Sequence, residues 1–362
     1  VLEPGERARP AVMPGRQTPG WDAGDVDDDA TGAVLASLGL RPGEHHEVPD
    51  GALLGRVAIV HGALAEVIVA DAAGEEHQVL LSCAKTTPRL VAGDWVGIAG
   101  ERIEWVSPRR SELRRPASTK RRVQVLASNL DLVLITVPVD RPLNLVLLES
   151  FAVMAFDSGA RPVVILTKAD EIDDPTEVLD QVRAAVEGVD VLVTSSTDGS
   201  GIQALRRLLS NGITAVMLGA SGVGKTSLLN VLDDRHELVR SLDRRGEGRH
   251  STTTRKLHRL KSGGVLLDIP GIRLLDAVVS DEGLAATFPE IEALTEQCRF
   301  RDCAHEGDKG CAVERAARMG EISERRLASW RQRRAASGEP SDARGEERRT
   351  KRRRGPLPED DR

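Results

Sequence analysis

Nine consecutive residues, Gly219, Ala220, Ser221, Gly222, Val223, Gly224, Lys225, Thr226 and Ser227, satisfy the pattern Gly-x4-Gly-Lys-Ser/Thr in full. The pattern limits the fold because it works only between a buried strand and a helix. Residues 213–218 before it are apolar and partly β-branched, as a buried strand requires, and residues 228–232 after it suit the first turns of a helix. The three glycines let the backbone curl around an anion with several N–H groups pointing inward. The helix N-terminus adds partial positive charge. Lys225 is expected to reach the outer phosphates of a nucleotide and Thr226 to ligate Mg²⁺. A glycine turn that binds nothing would leave the Lys-Thr pair and both flanks unexplained.

The preceding hundred residues predict the sheet that carries this loop. Residues 130–139 form the longest apolar run, which suits a central parallel strand. A helical pattern spans about 144–158. Residues 162–166 then predict a strand that ends in Thr167, Lys168, Ala169 and Asp170. A helix at about 175–187, a strand at 191–194 ending in Ser195 and Ser196, and a helix at 201–209 follow. Strands alternating with helices indicate an α/β doubly wound, mostly parallel sheet.

Thr167 to Asp170 is similar to the Asn-Lys-x-Asp element of GTPases. An aspartate there accepts two hydrogen bonds, from guanine N1–H and the 2-amino group, and adenine lacks that donor pair. Asp170 therefore selects GTP over ATP, with the stem of Lys168 over the base and the Ser195–Ser196 turn beside it. Thr167 replaces the commoner Asn, which weakens one positioning contact. Beyond the phosphate loop, Asp268 to Gly271 give Asp-x-x-Gly after an apolar strand. Asp268 is expected to hold Mg²⁺ through a water, and the Gly271 N–H to sense the γ-phosphate. Within the polar stretch 246–254, Thr252, or failing that Thr253, completes the Mg²⁺ shell. Position 272 is Ile, where many GTPases place a water-orienting Gln. His250 is the best candidate for that role, since a neutral imidazole orients water near pH 7.

The order of these elements is unusual. The guanine elements at 167 and 195 precede the phosphate loop at 219, whereas most GTPases have the reverse. Joining the ends of such a domain and opening it elsewhere produces this order, so a circular permutation is expected. The nucleotide-sensing segment 268–273 then falls at the C-terminal edge of the domain and pulls on whatever follows.

Two further modules flank this domain. Between 51 and 116, five short apolar runs separated by Gly- and Asp-containing turns predict a five-stranded barrel of the oligonucleotide-binding type. Arg109, Arg110, Arg114 and Arg115 follow it and are candidates for phosphate contact. Downstream, Cys298, Cys303, His305 and Cys311 give Cys-x4-Cys-x-His-x5-Cys, which suits one closed structural Zn²⁺ site. A disulfide among them is the competing reading. Cys83 is most simply a small apolar core residue. Residues 312–330 predict an Arg-rich helix. The domains expected are a disordered tail (1–50), the barrel (51–116), the permuted domain (117–280), a mostly helical zinc module (281–335) and a basic tail (336–362). The chain has a net charge of −6, yet Asp is concentrated at 22–29 and Arg at 315–354, so an RNA partner for the C-terminal part is expected despite the acidic total. No run is long and apolar enough to predict a membrane span, so a cytoplasmic monomer is expected.

With the permuted order, the barrel and the Cys/His spacing together, the chain resembles the bacterial ribosome small-subunit-dependent GTPase A family over roughly residues 50–335. The resemblance includes Gln124 to Asp131, Gly219 to Ser227, Gly248 to His250, Asp268 to Gly271 and the Cys/His spacing. It implies GTP hydrolysis that is slow alone and stimulated by the small ribosomal subunit, contact with its rRNA late in its assembly, and a catalytic role for His250. This chain departs from the family at Thr167, at Ser196 where Ala is usual, and in its long charged tails. Two alternatives stay open. One is a permuted GTPase of the large subunit, although such proteins usually lack both barrel and zinc cluster. The other is an rRNA-binding switch that senses GTP or GDP with little hydrolysis, which Ile272 keeps open.

Overall fold

The computed structural model describes residues 29–41, 48–49, 51–84, 88–116, 123–210, 212–233, 256–269 and 279–337. A short helix, α1 (Asp29–Ser37), comes first. Five strands follow: β1 (Leu53–His61), β2 (Leu64–Ala70), β3 (Glu76–Cys83), β4 (Trp95–Ala99) and β5 (Arg102–Val106). They close into a barrel in the order β1-β2-β3-β5-β4. Strand alternation builds its core: Ala65, Val67 and Val69 of β2 point inward against Leu81, Val96, Ile98 and Ile103. Gly55 is required in β1, because a Cβ there would come within 2.6 Å of Val67 Cγ1.

A two-stranded ribbon, β6 (Glu112–Pro116) and β7 (Val123–Ser128), leads into the central domain. That domain runs β8 (Leu132–Pro138), α2 (Leu145–Asp157), β9 (Arg161–Thr167), α3 (Thr176–Ala185), β10 (Asp190–Val193), α4 (Ile202–Leu208), β11 (Thr214–Leu218), α5 (Lys225–Asp233), β12 (Lys256–Arg259) and β13 (Val265–Asp268). The sheet order is β10-β9-β8-β11-β13-β12, and β12 alone is antiparallel to its neighbour. β8 is apolar but for Thr136 because both its faces are covered. Val133 and Ile135 meet the layer of α2 and α3, while Leu132 and Leu134 meet that of α4 and α5.

The C-terminal module holds α6 (Asp281–Thr287), α7 (Pro289–Thr295), α8 (Ala312–Arg318) and α9 (Glu324–Ser337), packed around Phe288, Ile291, Val313 and Trp330. It seats on α2 through charge as well as apolar packing. The fully buried Glu149 carboxylate accepts from Arg325 at 3.0 Å, from Arg326 at 2.9 Å, and from the Ser329 hydroxyl. Arg326 also donates to Glu290 at 2.7 Å and to the Ala185 carbonyl at 2.6 Å. No helix among the described residues is long and apolar enough to cross a membrane.

Three expectations change. The tail reading of 1–50 fails over 29–41, where α1 buries Leu35 and Leu38 in the main core. Its apolar content is too sparse to stand out in sequence, and its order comes from contact with the barrel: Thr31 Oγ1 donates to the Asp71 carbonyl at 2.8 Å and Arg56 to the Leu38 carbonyl. The single helix expected at 312–330 is two, because Gly320 takes φ +77° after α8 and ends it. The arginines after the barrel are largely committed internally. Arg109 donates to both oxygens of the buried Asp94 at 2.6 and 2.8 Å, with its side chain only 14% exposed. Arg110 donates to Asp131 at 3.0 Å, Arg114 to Glu112 at 2.7 Å and Arg115 to Gln124 at 3.1 Å. Arg109, which also donates to Glu112 of β6 at 3.1 Å, ties the barrel to the ribbon. Residues 1–28 and 338–362 lie outside the described residues.

Candidate nucleotide site and metal centre

The chain passes from β8 outward to β9 and β10, then returns to β11 on the other side of β8. This reversal opens a crevice at the carboxyl ends of the strands, where open α/β sheets hold ligands. The phosphate loop leaves β11 into it. Gly222 and Gly224 take φ +75° and +98°, a region that side chains disfavour. Gly219 is needed for space, since a Cβ there would lie 2.1 Å from Thr136 Oγ1. Ala220 and Ser221 form the exposed tip, Val223 is buried, and Thr226 is exposed on the first turn of α5 with Ser227 half-buried behind it. Lys225 arches back over the loop, and its Nζ donates to the carbonyls of Gly219 and Ala220 at 2.7 and 2.8 Å. Burial pushes its pKa down, against the attraction of Asp268. A cationic amine held over inward-curled backbone is a receptor for phosphate oxygens.

Two hydroxyls pin the ends of the loop. Thr136 Oγ1 donates to the Leu218 carbonyl at 2.6 Å, and Thr167 Oγ1 donates to the Val223 carbonyl at 2.6 Å. Thr167 makes its bond through a side chain shorter than the commoner Asn. Thr136 was not legible as a site residue, because it lies inside an apolar strand and carries no motif. The Thr167 bond holds the guanine-type element directly against the phosphate loop.

On the base side, Lys168 adopts a left-handed backbone conformation, φ +62°, and its Nζ lies 2.5 Å from Asp140. Arg141 and Lys168 together hold the Asp140 carboxyl down to about 2, Arg141 being the larger influence. Asp170 sits in a single 3-10 turn, exposed, with Oδ1 accepting from Ser195 Oγ at 2.5 Å. That bond, first among several, lowers the Asp170 pKa and keeps it an acceptor. Ser195 is fixed in turn by the N–H groups of Thr197 at 3.0 Å and Asp198 at 3.2 Å, with the half-buried Ser196 beside it. On the metal side, Val216 of β11 registers with Leu267 of β13, so the phosphate loop leaves the sheet next to Asp268. His250, Thr252, Thr253, Gly271 and Ile272 lie outside the described residues.

The second centre lies in the C-terminal module. The ligand atoms of Cys298, Cys303, His305 and Cys311 all fall within 4.8 Å of one another. Cys298 Sγ and Cys311 Sγ are 3.5 and 3.6 Å from His305 Nδ1 and 4.0 Å from each other. A tetrahedral Zn²⁺ site has edges of about 3.8 Å between sulfurs and about 3.5 Å between sulfur and nitrogen. The spacing fits that ion, and it is too long for a disulfide, whose S–S bond is about 2.05 Å. Burial pushes the Cys303 thiol up to about 12, so the thiolate form needs a cation beside it. Burial, with Arg334, takes His305 down to about 4, which leaves a neutral ring as a ligand. Backbone N–H groups support the sulfurs: Ala312 donates to Cys298 Sγ at 3.3 Å and Glu314 to Cys311 Sγ at 3.5 Å. Trp330 stacks edge-on to His305 at 5.4 Å.

Comparisons with known proteins point to one family. A sequence model described as RsgA GTPase matches residues 106–278. The small ribosomal subunit biogenesis GTPase RsgA of Streptomyces avermitilis is 40% identical over 292 residues, covering 78% of this chain and 79% of the relative. The protein of the same name from Methanosarcina acetivorans is 36% identical over 287 residues, covering 77% and 78%. Among solved structures, YjeQ from Thermotoga maritima superposes with a TM-score of 0.60 at 26% identity, covering 80% of this chain and 100% of that one. YloQ, described as a circularly permuted GTPase, gives 0.54 at 24% identity, covering 80% and 95%, and speaks to the fold alone. Given those relatives and a guanine-type element placed ahead of its phosphate loop, the chain belongs to the RsgA family of circularly permuted GTPases, the small ribosomal subunit biogenesis GTPases.

Proposed function

We propose that this protein, as a monomer, binds the small ribosomal subunit late in its maturation and there hydrolyses GTP to GDP and phosphate. The observation that carries the reading is the Thr167 hydroxyl on the Val223 carbonyl, 2.6 Å apart. It joins the elements for base recognition and phosphate binding into one receptor. Asp170 accepts from guanine N1–H and the 2-amino group, and Lys168 lies along the base. The inward N–H groups of residues 219–224 and Lys225 hold the phosphates. Thr226 and Asp268, with Thr252, are the residues that would hold Mg²⁺, which when bound neutralises charge on the β- and γ-phosphates. His250 orients the attacking water, standing in for the polar group that Ile272 lacks, and the Gly271 N–H meets the γ-phosphate.

The C-terminal module serves the subunit side. It carries Arg299, Arg301, Lys309, Arg315 and Arg318 exposed around the cysteine cluster, and rRNA phosphates are their natural partners. Zn²⁺ in the Cys298–Cys303–His305–Cys311 site keeps that surface in shape.

The test is GTP turnover by purified protein alone, with small subunits and with large subunits. Stimulation by small subunits only is expected, and its absence leaves a nucleotide-sensing switch as the better reading. Under that outcome, His250→Ala would leave turnover unchanged.

A further inference from the structure

Thr136 is the one polar side chain of β8, and it is only 2% exposed. A hydroxyl buried in an apolar strand costs free energy unless it is hydrogen-bonded. Alternation puts it on the face of Leu132 and Leu134, the side covered by α4 and α5. The parallel register of β8 with β11 ends at Ile135 opposite Leu218. Thr136 therefore stands one residue past the ladder, where the chain leaves the sheet to become the phosphate loop. Its hydroxyl donates to the Leu218 carbonyl at 2.6 Å. The next residue of the loop fits against it with no room to spare. A Cβ on Gly219 would lie 2.1 Å from Thr136 Oγ1, 2.7 Å from the Thr136 carbonyl oxygen and 3.0 Å from Val223 Cγ2. Thr136 and Val223 thus close on Gly219 from two sides.

The same strand end also holds the guanine-type element. β8 lies between β11 and β9, the strands that carry the two halves of the site. The Val139 N–H donates to the Thr167 carbonyl at 3.0 Å, and Asp140 holds Lys168. Residues 136–140 thereby meet the phosphate loop at their start and the base element at their end. The reach from one to the other is set within one short stretch of backbone.

We propose that Thr136 is a positioning residue for the β-phosphate of the bound nucleotide. Its hydroxyl fixes the Leu218–Gly219 peptide, and through it the N–H groups that curl around the anion. On the proposed function, which this inference deepens, Thr136 acts on the phosphate end of GDP and GTP and leaves the base end alone. Without the hydroxyl the loop still forms, since its glycines and α5 remain. It then samples more arrangements, and ordering it again on binding costs affinity. A loop of this kind and its lysine cradle the outer phosphates. A nucleotide that ends at the α-phosphate does not register the loss.

Competition against a fluorescent GDP by GDP, GMP and ADP tests this in the full chain. Thr136→Val removes the hydroxyl and keeps the branched shape. Its Kd for GDP should rise about tenfold, while its Kd for GMP matches the wild type. In phosphorus NMR of bound GDP the β resonance should shift and the α resonance should stay. Thr136→Ser, which keeps the hydroxyl, should bind GDP within about twofold of wild type. Unchanged GDP affinity in Thr136→Val, an unmoved β resonance, equal loss of GDP and GMP, or a serine variant as weak as the valine one would each overturn the inference. Equal loss would reduce Thr136 to a support of the sheet. Wild-type protein that binds ADP as tightly as GDP overturns the base reading of Asp170 and leaves Thr136 standing. Wild-type protein that binds no GDP overturns both.

Discussion

Thr167 shows how one hydroxyl serves where a longer amide is common. Its bond to the Val223 carbonyl is buried, and such a bond contributes about 1–1.5 kcal/mol. Thr167→Val should therefore weaken GDP binding about tenfold, and Thr167→Asn should keep most of it, as read by titration with a fluorescent GDP. Asp170 is a pure acceptor held by Ser195. Asp170→Asn exchanges one acceptor oxygen for a donor, so the preferred base should change from guanine to xanthine, whose C2 carbonyl accepts; competition between GTP and XTP measures it. Asp140 orients Lys168, and its depressed pKa fixes the pH window. A carboxyl whose folded pKa lies below the unfolded value contributes fully above about 4 and loses its contribution as pH falls through about 2. The Lys168–Asp140 pair should therefore persist unchanged from pH 7 to about 4.5, and GDP dissociation measured in Asp140→Asn should be faster than wild type by a constant factor over that range.

At the level of elements, the cysteine cluster organises a module with too little core of its own. Its helices are short, and the link between α7 and α8 carries all four ligand-type residues and no regular structure. Small modules of this kind depend on their metal. Chelation should lower helix content and raise the number of reactive thiols from one, the half-buried Cys83, to four. GDP binding should survive, because the central sheet has its own cores on both faces. Circular dichroism, thiol titration and nucleotide titration on one chelated sample separate these effects.

At the level of the whole molecule, two buried charges set how the parts sit. Arg56, fully buried in β1, donates to Thr214 Oγ1 at 2.9 Å and to the Asn129 carbonyl at 3.2 Å, and its guanidinium lies 5.1 Å from the Trp95 ring centre. The barrel is thereby fastened to the first residue of the phosphate-loop strand. Glu149 does the same for the C-terminal module, which rests on α2 as well as following the segment after β13. Removing a buried partner leaves an uncompensated charge, at a cost of about 3–5 kcal/mol. Glu149→Ala should lower the melting temperature by several degrees and expose α9 to limited proteolysis. Glu149→Gln, which keeps one acceptor oxygen for Arg325 and Arg326 but loses the charge and the acceptor for Ser329, should do so less.

Phosphate loop, guanine-type tetrapeptide, permuted order and cysteine spacing were all readable from the chain, since each is a local pattern whose chemistry resides in neighbouring residues. The five barrel strands and the alternating units of the sheet were readable for the same reason, through periods of two and of about three and a half residues. Other features had no such local mark. The order of α1, the Thr136 clamp, and the internal commitment of Arg109 and Arg110 each depend on partners that are distant in sequence. An arginine looks the same in sequence whether it will face a phosphate or a buried aspartate. Which of the two it meets is a matter of position in space, and only the packed molecule decides that, because burying a charge is tolerated only where the fold has set its counter-charge beside it.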